Sequence, residues 1–153
     1  MNFIHRFTCN PHQLGSMISR LHNKNTPPII DYIRESSSIY NYVEIQKNIS
    51  MYPQNHFALK LSALGLNESY QECLNHVEEL ILNAKKNDSK ILIDAENHSI
   101  QKGIEDITDH MMKKFNQDDV VVYKTYQMYK KGAHKTLHKE LTQERDYHLG
   151  VKL

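Results

Sequence analysis

No apolar run in this chain approaches the ~20 residues that a membrane-spanning helix needs. Cysteine is scarce. Cys9 and Cys73 stand far apart and neither belongs to a CxxC pair, so neither a disulfide framework nor a cysteine zinc site is indicated. Two isolated thiols suit a reducing compartment better than secretion. Neither sign of charge dominates: 19 Lys and Arg against 18 Asp and Glu leave a net charge of +1 with His neutral. Such a balance creates no broad field for nucleic acid or an acidic surface. The 10 His are scattered without ligand spacing. No GxGxxG follows the first strand candidate and there is no P-loop, so a nucleotide-binding doubly wound fold has no positive support. No low-complexity tract or long linker interrupts the sequence. What is there, 153 residues with 39% hydrophobic and 24% charged, fits one domain over 1–153 with a real core.

Apolar periodicity gives the order of elements. Leu14, Ile18 and Leu21 fall on one helical face, and Pro27-Pro28 ends that stretch. The same region carries Arg6, Arg20 and Lys24 and no acid before Asp31, a pattern that an organelle presequence also shows, but a helix belonging to the domain is the preferred reading. Ile29-Ile30-Asp31-Tyr32 is a short strand candidate, and Ile39 to Met51 a helix with Tyr42, Ile45 and Ile49 on one side. His56 to Ala63 is the second strand, bounded by Gly65. From Asn67, as N-cap, to about Asn87 the positions Tyr70, Cys73, Leu74, Val77, Leu80, Ile81 and Ala84 form the clearest apolar stripe. Lys90 to Ile93 is a buried strand running into Asp94 and Glu96. Ile100, Ile104, Ile107, Met111 and Phe115 mark the next helix, and Asp119 to Lys124 a fourth strand continuing to Gln127. Leu137 and Leu141 mark a helix ending near Gly150, and Val151 to Leu153 a strand barely begun. Strands alternating with helices of crossover length predict an α/β fold with a parallel sheet. A (βα)8 barrel needs ~250 residues; this chain supplies about four βα units and the start of a fifth strand, a partial TIM-like barrel.

In such folds chemistry occupies the carboxyl edge of the strands. Lys60 shares a face with Ala58 and Ser62, opposite Phe57, Leu59 and Leu61. It reads either as a lysine snorkelling to water or as a cation aimed at a substrate carboxylate or a neighbouring acid. Asp94 and Glu96 share parity at the third strand's end. They read as structural caps or as charges at the mouth of a site, including a magnesium-dependent carboxylate site. Thr125, Gln127 and Tyr129 share a side, and the Gln127 amide offers a donor and an acceptor suited to a heterocycle edge. Tyr126 and Tyr129 read equally as packing between barrel and helix. Met111 and Met112 read as core filler.

The segments Ile29-Ile30-Asp31-Tyr32, Phe57 to Leu64 (FALKLSAL), Ile91 to Glu96 (ILIDAE), Lys114-Phe115-Asn116, Tyr123 to Tyr129 (YKTYQMY) and Gly150-Val151-Lys152-Leu153 stand in an order that resembles the proline dehydrogenase family. The resemblance implies a (βα)8-type barrel around FAD. It implies oxidation of L-proline to 1-pyrroline-5-carboxylate, with a quinone reoxidising the flavin. By position, Lys60 resembles the basic residue that meets the proline carboxylate, and Asp94 the strand-end acid that orders the substrate pocket, the two catalytic-site candidates. Gln127 resembles a residue hydrogen-bonded to the isoalloxazine, and Lys152 takes the place of a basic residue, a cation beside the flavin's reactive edge, the two cofactor candidates. No metal is implied. Eukaryotic relatives being mitochondrial, the resemblance points to that compartment, although no clear presequence is present.

The sequence departs from the family pattern as well. A Gly-Ala-Tyr segment expected after Leu153, the later strands and a C-terminal arginine pair are not in this sequence. Asn10-Pro11 replaces a family Gly-Gly, and Gly132 stands where an acid is usual. The expectation is therefore the N-terminal half of the catalytic barrel, with weak or no FAD binding by itself. The alternative is a non-catalytic remnant that acts by self-association or by pairing with a complementary barrel fragment, since open sheet edges favour added strands.

Overall fold

The computed structural model describes residues 8–32 and 39–153. A short 3-10 turn, Pro11–Gln13, leads into helix α1 (Leu14–His22). The order is then β1 (Ile29–Asp31), α2 (Ile39–Met51), β2 (His56–Leu59), α3 (Tyr70–Lys86), β3 (Lys90–Ile93), α4 (His98–Phe115), β4 (Val122–Thr125), α5 (Ala133–Thr142) and β5 (Val151–Lys152). All strand pairs are parallel and the sheet runs in chain order, β1-β2-β3-β4-β5. Strands that follow one another without a reversal of order have the arrangement of the opening units of a (βα)8 barrel.

Alternation assigns the two faces of the sheet. Leu59, Ile93, Lys124 and Val151 are aligned in register across β2 to β5. With Phe57, Ile91 and Val122, the apolar members Leu59 and Ile93 belong to one core cluster with Ile45 and Ile49 of α2, Cys73, Val77, Leu80 and Ile81 of α3, and Ile104, Ile107, Met111 and Met112 of α4. The core therefore lies between the sheet and its helices, as apolar stripes of period 3.6 facing strands of period 2 require. Met111 and Met112 are both fully buried in it. Burial holds the Cys73 thiol up at about 12, and the Glu96 and Glu68 charges add to the rise. That thiol is an inert core group.

Several boundaries differ from the sequence expectation. Helix α3 begins at Tyr70, and Ser69 is its N-cap, its hydroxyl accepting from Glu72 N at 3.3 Å. Tyr70, expected on the buried stripe, is exposed. Strand β2 stops at Leu59 because Lys60 O and Leu61 O accept from Ala63 N and Leu64 N, both at 3.1 Å, in a 3-10 turn closed by Gly65 at φ +93°. Strand β4 is shorter at both ends than expected. Helix α5 ends at Thr142 rather than near Gly150, and Leu141 is exposed.

His56 lies at the amino end of β2, edge-on to the Tyr123 ring at 6.4 Å. Burial, with the Lys90 charge adding to it, lowers its pKa below the ordinary 6.5. The unfolded chain therefore binds this proton more readily than the folded one, and folding loses stability as pH falls below 6.5. Urea denaturation of the parent and His56→Gln across pH 7.5 to 5 is expected to show the parent losing stability relative to the variant on acidification. A constant difference across that range would remove His56 as the cause.

Candidate active site at the carboxyl edge of the sheet

One position beyond the aligned row of Leu59, Ile93, Lys124 and Val151 stand Lys60, Asp94, Thr125 and Lys152, and Thr125 and Lys152 are themselves a register pair. Because side chains alternate, this second row faces away from the helices, toward the side that is interior in a barrel. The backbone supports the placement: Asp94 N donates to Leu59 O at 2.9 Å, and Thr125 Oγ1 donates to Ile93 O at 2.8 Å.

The charges along this edge form two ion pairs. Lys60 Nζ meets Asp31 of β1 at 3.0 and 3.2 Å to its two oxygens. Lys152 Nζ meets Asp94 Oδ1 at 2.5 Å, reaching from β5 across β4 to the end of β3. Burial pulls the Lys60 ammonium down. The hydrogen bond and charge of Asp31, with the charges of Asp94 and Glu96, outweigh it and leave the pKa raised. Lys60 thus stays protonated and lies within the field of all three acids.

Glu96 is used differently. Its carboxylate accepts from Ser62 N at 3.0 Å and from the Ser62 hydroxyl, and its backbone N–H donates to Gln101 Oε1 at 3.1 Å. Gln127 Nε2 donates to Glu96 O at 3.4 Å and to the Tyr129 hydroxyl at 2.9 Å. Glu96 therefore ties the loops after β2, β3 and β4 together, with Gln127 resting on it. Asp94 and Glu96 serve separate partners, and among the described residues no three His, Cys, Asp or Glu side chains gather as a metal site.

On the opposite face Lys124 belongs to the row that meets the helices. It is nearly buried and pairs with Asp109 of α4 at 2.9 Å and Glu140 of α5 at 3.1 Å. Burial pulls this ammonium down, but Asp109 and Glu140 hold its pKa raised. Tyr126 is buried there too and donates to Glu140 at 2.6 Å. Tyr126 is thus packing, as one sequence reading allowed, and Tyr129 is exposed beside Gln127.

The structure brings Lys60, Asp94 and Lys152 to one row, with Gln127 two positions beyond Thr125. The pairing of Lys60 with Asp31 was not foreseen, although Asp31 ends its strand as Asp94 ends another. Asn116, central to the joint between β4 and β5, was noticed only as part of a short string.

An open parallel α/β wall with charged side chains gathered at the carboxyl ends of its strands defines the class: the site edge of a (βα)8-type protein. A family model described as proline dehydrogenase matches residues 18–153, and the chain belongs to that family. It is 30% identical over 88 residues to Proline dehydrogenase 1, mitochondrial, of Drosophila melanogaster, covering 56% of this chain and 13% of that one. It is 34% identical over 92 residues to Proline dehydrogenase 1, mitochondrial, of Caenorhabditis elegans, covering 57% and 15%. Two mutants of Bradyrhizobium japonicum Proline Utilization A share the fold, with TM-scores of 0.64 and 0.61 at 18% and 19% identity. Each match covers 82% of this chain and 16% of the other. The chain thus spans only a small part of the relatives it matches.

Proposed function

We propose that residues 1–153 form one unit supplying a wall of the active site of an FAD-dependent proline dehydrogenase. The reaction oxidises L-proline to 1-pyrroline-5-carboxylate, with a quinone taking the electrons onward. The observation that carries this reading is the convergence of Lys60, Asp94, Lys152 and Gln127 at one carboxyl edge in a chain of this family. The mitochondrial names of the relatives support the same compartment for this chain.

The residues present suit one edge of a flavin. An ammonium at Lys152 and an amide at Gln127 offer N–H donors to the ring's carbonyl oxygens and nitrogens. FAD, when bound, supplies the acceptor for the hydride leaving the ring carbon beside the proline nitrogen, while the nitrogen's proton is lost. The protein's part is positioning and charge. Lys60 holds the substrate carboxylate, which orients the five-membered ring. Asp94 holds the Lys152 ammonium in place, and that cation offsets the negative charge of the reduced ring. Gln127, braced on Glu96 and Tyr129, fixes the heterocycle edge.

In a completed barrel supplied with FAD and a soluble quinone, Lys60→Ala is expected to raise the KM for L-proline by about tenfold, the loss of one charge-assisted hydrogen bond. Bound flavin should be unchanged. Equal kinetics in parent and variant would remove Lys60 from the substrate site.

A further inference from the structure

We infer that Asp31 is a positioning residue that holds the Lys60 ammonium at the mouth of the site. The inference rests on the reading of Lys60 as the group that meets a substrate carboxylate. Asp31 pairs in register with Ala58, and Lys60 stands two residues further on, one position past the end of β2, where its side chain meets Asp31. Both Asp31 oxygens lie within hydrogen-bond distance of Nζ, at 3.0 and 3.2 Å. A single ammonium between two carboxylate oxygens is restrained in direction as well as in distance.

The other acids nearby do not take this place. Asp94 is committed to Lys152, and the Glu96 carboxylate to the backbone N–H and hydroxyl of Ser62. Both raise the affinity of Lys60 for its proton through their charge, without a hydrogen bond to it. Lysine carries a compact charge on a flexible four-carbon stem, and nothing intrinsic aims it. Remove the Asp31 carboxylate and the ammonium is free to swing to water or toward Asp94, where it competes with Lys152.

The pair is part-exposed, at 31% for Lys60 and 38% for Asp31, so it adds little to stability. Its consequence is geometric. An ammonium has three N–H donors, and Asp31 engages it from the β1 side. Donors remain for a ligand carboxylate arriving at the mouth, and a ligand meets a cation already in place.

The test is an NMR titration of the Lys60 Cε resonance in the lysine-labelled full chain, assigned through Lys60→Arg. In Asp31→Asn the Lys60 titration is expected to move down from the parent's, and Asp31→Glu is expected to bring it back. An Asp31→Asn titration identical to the parent's would overturn the inference. A second arm uses L-proline as the probe. Asp31→Asn is expected to weaken the proline-induced shift at Lys60 by about tenfold in apparent affinity. Equal affinities in parent and variant would also overturn it. If L-proline moves Lys60 in neither protein while Asp31→Asn still lowers the titration, the proline reading fails and the hold of Asp31 on Lys60 stands.

Discussion

Asn116→Ala is expected to lower stability by about 4 kcal/mol, a large fraction of the 5–15 kcal/mol typical of a domain. The Asn116 side chain is fully buried and makes four hydrogen bonds to backbone. Its Oδ1 accepts from Val121 N at 3.0 Å and Val122 N at 2.9 Å, and its Nδ2 donates to Val122 O at 2.8 Å and His148 O at 3.0 Å. Its own carbonyl accepts from His148 N at 2.8 Å. One amide thus joins the end of α4, the start of β4 and the approach to β5. Truncation leaves two buried N–H groups without acceptors, each worth ~1–3 kcal/mol. Asn116→Asp is no rescue at neutral pH. It keeps the acceptor but turns a carboxylate oxygen toward two carbonyls, and acidification should recover part of the loss. Denaturant unfolding measures all three proteins; a midpoint for Asn116→Ala equal to the parent's would refute the assignment.

Gly150→Ala is the second large effect, expected at about 3 kcal/mol from overpacking against an unyielding backbone. A Cβ at Gly150 would sit 2.2 Å from Val122 O and 2.9 Å from Tyr123 Cα. Neither atom can retreat without parting β5 from β4. The bonds at stake are Lys124 N to Gly150 O at 2.9 Å and Tyr126 N to Lys152 O at 2.8 Å. Loss of this pairing also withdraws Lys152 from Asp94. Amide exchange at Lys124 and Tyr126 is therefore expected to quicken by about 100-fold, with α3 much less affected. Unchanged protection at both amides in a folded variant would show that the close approach does not constrain this position.

Both effects bear on the proposed function, because they act on the joint that brings Lys152 to the carboxyl edge. Strand β5 is only Val151–Lys152, too short to be held by its own ladder. Its position depends on the buried amide of Asn116 and the absent side chain of Gly150. The strings Lys114-Phe115-Asn116 and Gly150-Val151-Lys152-Leu153 were visible in the sequence as family-like words. What they do became visible only when α4, β4 and β5 met.

The same division holds elsewhere. Residue periodicity placed α2 over Ile39–Met51, and it placed Leu80, Ile81, Ile107 and Met111 in the core. It extended β2 to Ala63 because alternation continues through Lys60 and Leu61. The strand ends at Leu59, where local turn bonds take up the backbone groups. It placed Tyr70 on the buried stripe, but as the first residue of α3 Tyr70 is exposed, and the buried stripe begins at Cys73. Lys124 stood in the sequence only as a residue of the fourth strand candidate. Its parity puts it against α4 and α5, where Asp109 and Glu140 compensate its burial.

What the sequence by itself determined is the order of strands and helices, the parallel sheet, and the arrival of Lys60 and Asp94 at the same edge. These follow from local periodicity, which each segment carries in its own residues. Only the tertiary structure decided which acid meets which lysine. Asp31 and Lys60 lie 29 residues apart in the chain, and Asp94 and Lys152 lie 58 apart. Their partnership depends on register across β1 to β5, and register is a property of the assembled sheet rather than of any one strand.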